Sequence, residues 1–196
     1  MAKYKTIKSL AKDPYKEKGS KFYGYAYPIN SKEDVKDCLE EIKEEHPKAR
    51  HICYAFLIKE GNEEYYITND DGEPNNSAGM PILGQIRSHE LSNVLIAVVR
   101  YFGGTKLGIS GLITAYKESA AMCLKETNII EVEPKTTISF TSDYATMGNV
   151  LAVIDKNNLD TKIEHIDNQA SYSITTEVDK KESVLSLFER LRIKFN

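Results

Sequence analysis

Six consecutive residues, Val94-Leu95-Ile96-Ala97-Val98-Val99, are apolar at both parities. Successive side chains of a strand point to opposite faces, so a strand with one wet face alternates apolar and polar residues. This run does not alternate, and it predicts a strand over 92–102 that is covered on both sides. The fold must therefore supply apolar layers on either side of one strand. The 196 residues are 41% apolar and 28% charged, which is enough hydrophobic material for real cores and lies outside the composition of disordered chains. That length suits one large domain or two small ones.

No apolar stretch in the chain comes near the ~20 residues of a membrane helix. Residues 1–21 are studded with lysine and hold no apolar stretch of the ~7–15 residues found in a signal peptide. A soluble, cytoplasmic protein with no membrane partner is expected. Cys38, Cys53 and Cys123 are odd in number and scattered, which argues for buried thiols in a reducing compartment and against a disulfide framework. The net charge is −3, too small for the whole chain to attract nucleic acid or anionic lipid unspecifically. Residues 1–128 hold 18 basic and 18 acidic side chains, whereas residues 129–196 hold 8 and 11. If either part meets a polyanion, it is the first.

Element order separates the same two parts. Strand-like pieces over 4–10 and 21–29 lead to a helix opening at Ser31. There Ser31 and Asp34 form an approximate capping box, and Val35, Leu39 and Ile42 recur at helical spacing. Residues 51–59 and 63–68 read as a hairpin around Glu60-Gly61-Asn62. After the central strand a helix spans 111–126, with Leu112, Tyr116, Ala120, Cys123 and Leu124 along one side. Ile130-Glu131-Val132-Glu133-Pro134 is polar, contains a proline and is the best linker. Beyond it the pattern reads strand 135–142, helix 143–156, strand 160–166, strand 170–178, helix 179–191 and a short strand 192–195. That is β-α-β-β-α-β, the split βαβ order of a ferredoxin-like domain. The predicted fold class is α+β in two domains, residues 1–130 and 135–196. With Ile138, Phe140, Tyr172 and Ile174 turned to the helices, the open face of the second sheet shows hydroxyls such as Thr137, Ser139, Ser171 and Ser173. An RNA-recognition sheet would place aromatic side chains there; this face suits a protein better.

Two stretches carry the densest chemistry. The acidic one, Asn69-Asp70-Asp71-Gly72-Glu73-Pro74-Asn75-Asn76-Ser77-Ala78-Gly79-Met80-Pro81, places three carboxylates within four residues. Close carboxylates hold a divalent cation or split their pKa values for acid and base roles. The structural alternative is an Asp-Gly turn whose carboxylates accept backbone N–H bonds. Asp70, Asp71 and Glu73 are weak metal candidates, because the spacing does not match an EF-hand. The second stretch runs from Arg100 to Gly111 and follows the strongest strand into a helix. Gly103, Gly104, Gly108 and Gly111 let the backbone turn sharply, Arg100 and Lys106 supply positive charge, and a strand-to-helix turn suits an anion or a nucleic-acid backbone. Lys106 is not followed by Ser or Thr as a P-loop requires, and GxGxxG is absent. A tight connection with Lys106 solvated is the structural alternative. His51 and Cys53 share a strand face without completing a zinc set, and Ser110 lacks the G-x-S-x-G elbow.

Asp-Asp-Gly-Glu-Pro at 70–74, Ala-Gly-Met-Pro-Ile-Leu at 78–83 and Val99-Arg100-Tyr101-Phe102-Gly103-Gly104-Thr105-Lys106-Leu107-Gly108 resemble the signature of the YigZ/IMPACT family. Ser20-Lys21-Phe22 and His51-Ile52-Cys53-Tyr54-Ala55 are similar to its earlier motifs. The resemblance covers residues 15–127. It implies a first domain like the second domain of ribosomal protein S5 and a C-terminal ferredoxin-like domain similar to one in elongation factor G. Eukaryotic relatives are tied to regulation of translation, and the family carries no agreed catalytic residues. The chain departs from the family pattern at Asn75-Asn76-Ser77, where Asn76 can adopt a positive φ. It departs again at Thr114, where an arginine would add charge.

The expected function is non-catalytic binding, as a translation-associated regulator that contacts RNA, the ribosome or a translation-factor protein. Its expected surface is the loop of Arg100, Gly103, Gly104, Lys106, Gly108 and Gly111, with Asp70, Asp71, Gly72 and Glu73 beside it. No catalytic residue or cofactor is implied, and a small-molecule substrate is not indicated. The alternatives are a metal-dependent enzyme acting on a phosphate-containing or small anionic substrate, and a pure protein-interaction module using the open C-terminal sheet.

Overall fold

The computed structural model describes residues 3–60, 63–166, 168–191, 193 and 195. The chain divides into two compact units, Tyr4–Val132 and a second formed by Lys3 with the residues from Glu133 onward.

The apolar run explains the first unit. It forms β6 (Val94–Tyr101), the central strand of a five-stranded antiparallel sheet with β2 (Ala11–Glu17), β3 (Ser20–Pro28), β4 (His51–Glu60) and β5 (Glu63–Asn69), in the order β2-β3-β6-β4-β5. Val94, Ile96 and Val98 pack with α2 (Gly79–Ser88) and α3 (Gly108–Lys125) in one core, through Ile82, Ile86, Ala115 and Tyr116. Leu95, Ala97 and Val99 pack on the other side with Val35 and Ile42 of α1 (Lys32–Glu45). All six residues of the run are fully buried, as lack of alternation requires.

Local chemistry sets the helix ends. Ser31 caps α1: its hydroxyl accepts from the Asp34 N–H, and the Asp34 carboxylate accepts from the Ser31 N–H in return. Pro81 sits in the first turn of α2, where a missing N–H costs nothing. Four sequence expectations change. The end of the acidic stretch, 79–81, does not continue its turn but opens α2. Helix α3 begins at Gly108, three residues before its expected start. Strand β2 was not anticipated, because Ala-Lys-Asp-Pro-Tyr-Lys-Glu is polar and holds a proline, both tolerable on a sheet edge. The expected linker is partly a strand, β7 (Ile129–Val132), paired antiparallel with β1 (Tyr4–Ile7). Gly61 and Asn62 of the expected hairpin turn lie outside the described residues.

In the second unit β8 (Lys135–Asp143), β9 (Asp160–Ile166) and β10 (Gln169–Glu177) form an antiparallel sheet in the order β8-β10-β9. Helices α4 (Tyr144–Lys156) and α5 (Lys181–Phe188) contribute Val150, Ile154, Val184 and Phe188 to a core with Ile138, Phe140, Tyr172 and Ile174. The Asp143 carboxylate caps α4 through the Thr146 N–H at 2.8 Å. Of the expected strand over 192–195, residues 192 and 194 lie outside the described residues, and Phe195 bridges Phe140 antiparallel.

Candidate functional site

Three strands bring their functional ends together. Lys21 stands opposite Tyr101, and Arg100 stands opposite both Phe22 and His51. The start of β3, the end of β6 and the start of β4 therefore share one end of the sheet, and β5 ends nearby at Asn69, opposite Tyr54. Both signature stretches leave the sheet here.

Each carboxylate of the acidic stretch has a separate structural task. Asp70 accepts from the Asn76, Ala78 and Gly79 backbone N–H groups at 2.8–2.9 Å. It thereby caps α2, whose Ala78 has no side chain able to do so. Asp71 accepts from the Ile52 N–H at 2.6 Å, and its carbonyl accepts from His51 Nδ1 at 2.8 Å. Glu73 is buried, and its Oε1 accepts from Arg100 Nη1 at 2.5 Å and from the Tyr116 hydroxyl at 3.0 Å. Asp71, Gly72 and Asn76 hold φ of +42°, +85° and +61°, so Asn76 takes the left-handed conformation that its short polar side chain tolerates.

These partners bear on Asp70, Asp71 and Glu73 as weak metal candidates. Their oxygens are spent on different groups, and among the described residues no cluster of three His, Cys, Asp or Glu could hold a metal ion. Cys53 Sγ lies 2.9 Å from the Asp70 carbonyl oxygen and 3.3 Å from the Tyr116 hydroxyl. Burial pushes both the Cys53 thiol and the Tyr116 hydroxyl well above their ordinary pKa values. Both stay protonated at neutral pH, which suits a packed network and not a nucleophile.

The glycine stretch is only partly available to a ligand. The Gly103 N–H donates to Ser20 Oγ at 3.1 Å, and a Cβ at Gly103 would collide with the Gly19 carbonyl group. This glycine is there because the β2–β3 turn passes against it. Gly104 and Gly108 have φ of +91° and +72°, and Gly111 lies in the first turn of α3, which carries no side-chain cap. The Thr114 hydroxyl back-bonds to the Ser110 carbonyl at 3.0 Å. Arg100 is 7% exposed and its charge is balanced by Glu73, yet its Nε–H has no acceptor among the described residues. Lys106 makes no ion pair among the described residues.

The two stretches do meet. A cleft of about 300 Å³ is lined by Glu73, Pro74, Arg100, Phe102, Lys106, Leu107, Gly108, Ile109 and Leu112. A second, of about 410 Å³, lies between Lys48, Arg50, His51, Arg100, Tyr101 and Phe102. A third, of about 320 Å³, is lined by Gly19, Lys21, Tyr23, Tyr101 and Phe102. Phe102, 58% exposed, borders all three. Sequence reasoning passed over Lys21, Lys48, Arg50 and Phe102 as site residues. They lie far apart in the chain, and their signal is only that the Ser20-Lys21-Phe22 and His51-Ile52 motifs start strands beside β6.

Comparison with known proteins matches this part of the molecule. Residues 18–124 fit the Impact N-terminal domain, a span that contains every residue of the three clefts. The IMPACT family member YvyE of Bacillus subtilis is 29% identical over 180 residues, 92% of this chain and 82% of that protein. An IMPACT family member of Haemophilus influenzae is 34% identical over 160 residues, covering 80% and 76%. The family member YigZ of Escherichia coli is 30% identical over 154 residues, covering 78% and 74%. A crystal structure described as a hypothetical protein superposes on the whole chain and 97% of its own, with a TM-score of 0.75 at 22% identity, a likeness of fold. With a family domain over more than half its length and relatives matched well beyond that domain, this chain belongs to the IMPACT family.

Proposed function

We infer that this protein acts by binding, as a translation-associated regulator whose contact surface is the end of the five-stranded sheet. One observation carries the binding half of the reading: Asp70, Asp71 and Glu73 are each bonded into the fold, while Lys106, in one open cleft with Glu73, makes no ion pair among the described residues. The translation half rests on the family. The resemblance ties eukaryotic members to translational control, and the IMPACT homologue of Saccharomyces cerevisiae is 33% identical over 102 residues, 50% of this chain and 39% of that protein. The partner in this reading is RNA, the ribosome or a translation factor.

The same reading takes residues 1–130 as a domain like the second domain of ribosomal protein S5. It takes residues 135–196 as a ferredoxin-like domain similar to one of elongation factor G, which the order β8-β10-β9 with Phe195 beside β8 supports. The test is cosedimentation of the purified chain with ribosomes across a salt series, wild type against Lys106→Ala. Weaker association and a shallower salt dependence in the variant are expected. Identical curves would sink the polyanion version.

A further inference from the structure

We propose that the three clefts around Phe102 form one site for single-stranded RNA, with a base stacked on Phe102 and phosphates held by Lys21, Lys48, Arg50 and Lys106. This rests on the binding function inferred above and gives it a ligand. Four cations border the clefts, one or more in each, and none of the four is in an ion pair among the described residues. Among the described residues the one acidic side chain bordering any of them is Glu73, and Arg100 neutralises it. The surface therefore carries a local excess of four positive charges on a chain whose net charge is −3, which is complementary to a polyanion.

Phe102 decides which polyanion. Its ring is more than half exposed at the meeting point of the clefts, with the Arg100 guanidinium carbon 5.7 Å from the ring centroid. A large apolar ring held in water, flanked by cations, is the stacking platform that single-strand binders use, because a free base offers a π face and a duplex keeps its faces stacked internally. Cleft volumes of about 300–410 Å³ fall at the lower end of the ~300–1,000 Å³ typical of small-ligand sites. Their arrangement on several sides of one ring suits successive units of a strand. The unused Arg100 Nε–H adds a donor in a residue that borders two of the clefts.

The test is fluorescence anisotropy of the full chain with a labelled oligouridylate of about 12 nucleotides, within the ~4–16 nucleotide range of single-strand sites, and with an RNA duplex of the same length. Single strands should bind more tightly than the duplex. Phe102→Ala should weaken single-strand binding on the order of tenfold to a hundredfold, Phe102→Trp should retain it, and neither should alter duplex binding. The slope of log affinity against log salt should be about −3 for four contacts and shrink by about 0.7 with each of Lys21→Ala, Lys48→Ala, Arg50→Ala and Lys106→Ala. Equal affinity for duplex and single strand, or no loss in Phe102→Ala, overturns the proposal. If the oligonucleotide does not bind but ribosome association still depends on Lys106, the RNA site falls and the broader function stands. If ribosome association is also indifferent to Lys106, the RNA site falls together with the polyanion version of that function.

Discussion

Glu73 and Arg100 pair with side-chain exposures of 5% and 8%, so both charges leave water and must be held by each other and by the Tyr116 hydroxyl. Taking away one member of such a pair leaves an uncompensated buried charge and typically costs about 3–5 kcal/mol, whereas replacing both by apolar groups is often close to neutral. Glu73→Ala and Arg100→Ala should therefore each destabilise the chain by about 3–5 kcal/mol in chemical denaturation, and Glu73→Leu with Arg100→Met should recover most of the loss. Single variants costing under about 1 kcal/mol would mean that water reaches the pair. The pair also changes the chemistry that Arg100 brings to the site. Its guanidinium closes the two signature stretches onto each other and leaves attraction of a ligand to the lysines and Arg50.

At the scale of elements, α1 shows how a helix start responds to pH. The Asn30 and Ser31 N–H groups and the Ser31 hydroxyl hold the Asp34 carboxyl below the usual carboxylate range. A group whose folded pKa is depressed stabilises the fold above its unfolded value of about 3.9 and loses that contribution as pH falls through the folded value. Asp34→Ala should cost about 1 kcal/mol at pH 7, and urea titrations near pH 2 should bring the variant and wild type together; a gap unchanged at low pH would assign the loss to packing. This helix was legible because cap and apolar stripe lie within twelve residues. Strand β6 was legible because its burial on both faces is written in consecutive residues. Helix α2 was not: its cap is Asp70, eight and nine residues before the Ala78 and Gly79 N–H groups it accepts from, and no local pattern announces a carboxylate that works across a loop. Strand β2 was hidden for another reason, since a polar edge strand with a proline has the composition of a turn.

For the molecule as a whole, the candidate site was half legible. Glycines and cations adjacent in sequence drew attention to 100–111, but Lys21, Lys48, Arg50 and Phe102 become a surface only once β3, β4 and β6 pair, which no spacing within the chain encodes. The two units differ more plainly. Tyr4–Val132 buries apolar residues on both faces of the central strands of its sheet, while the second unit packs two helices on one face of three strands and leaves Thr137, Ser139 and Ser173 at least partly exposed on the other. Smaller units bury a smaller fraction of their surface and open more readily. Amide hydrogen exchange on the full chain should show this directly. The Val94 to Val99 amides, on the central strand, should exchange only through global unfolding, while those of Ala170 to Ile174 in β10 should exchange at least about tenfold faster, equivalent to about 1.4 kcal/mol less protection. Exchange of both strands at one common rate would show that the two units unfold as one.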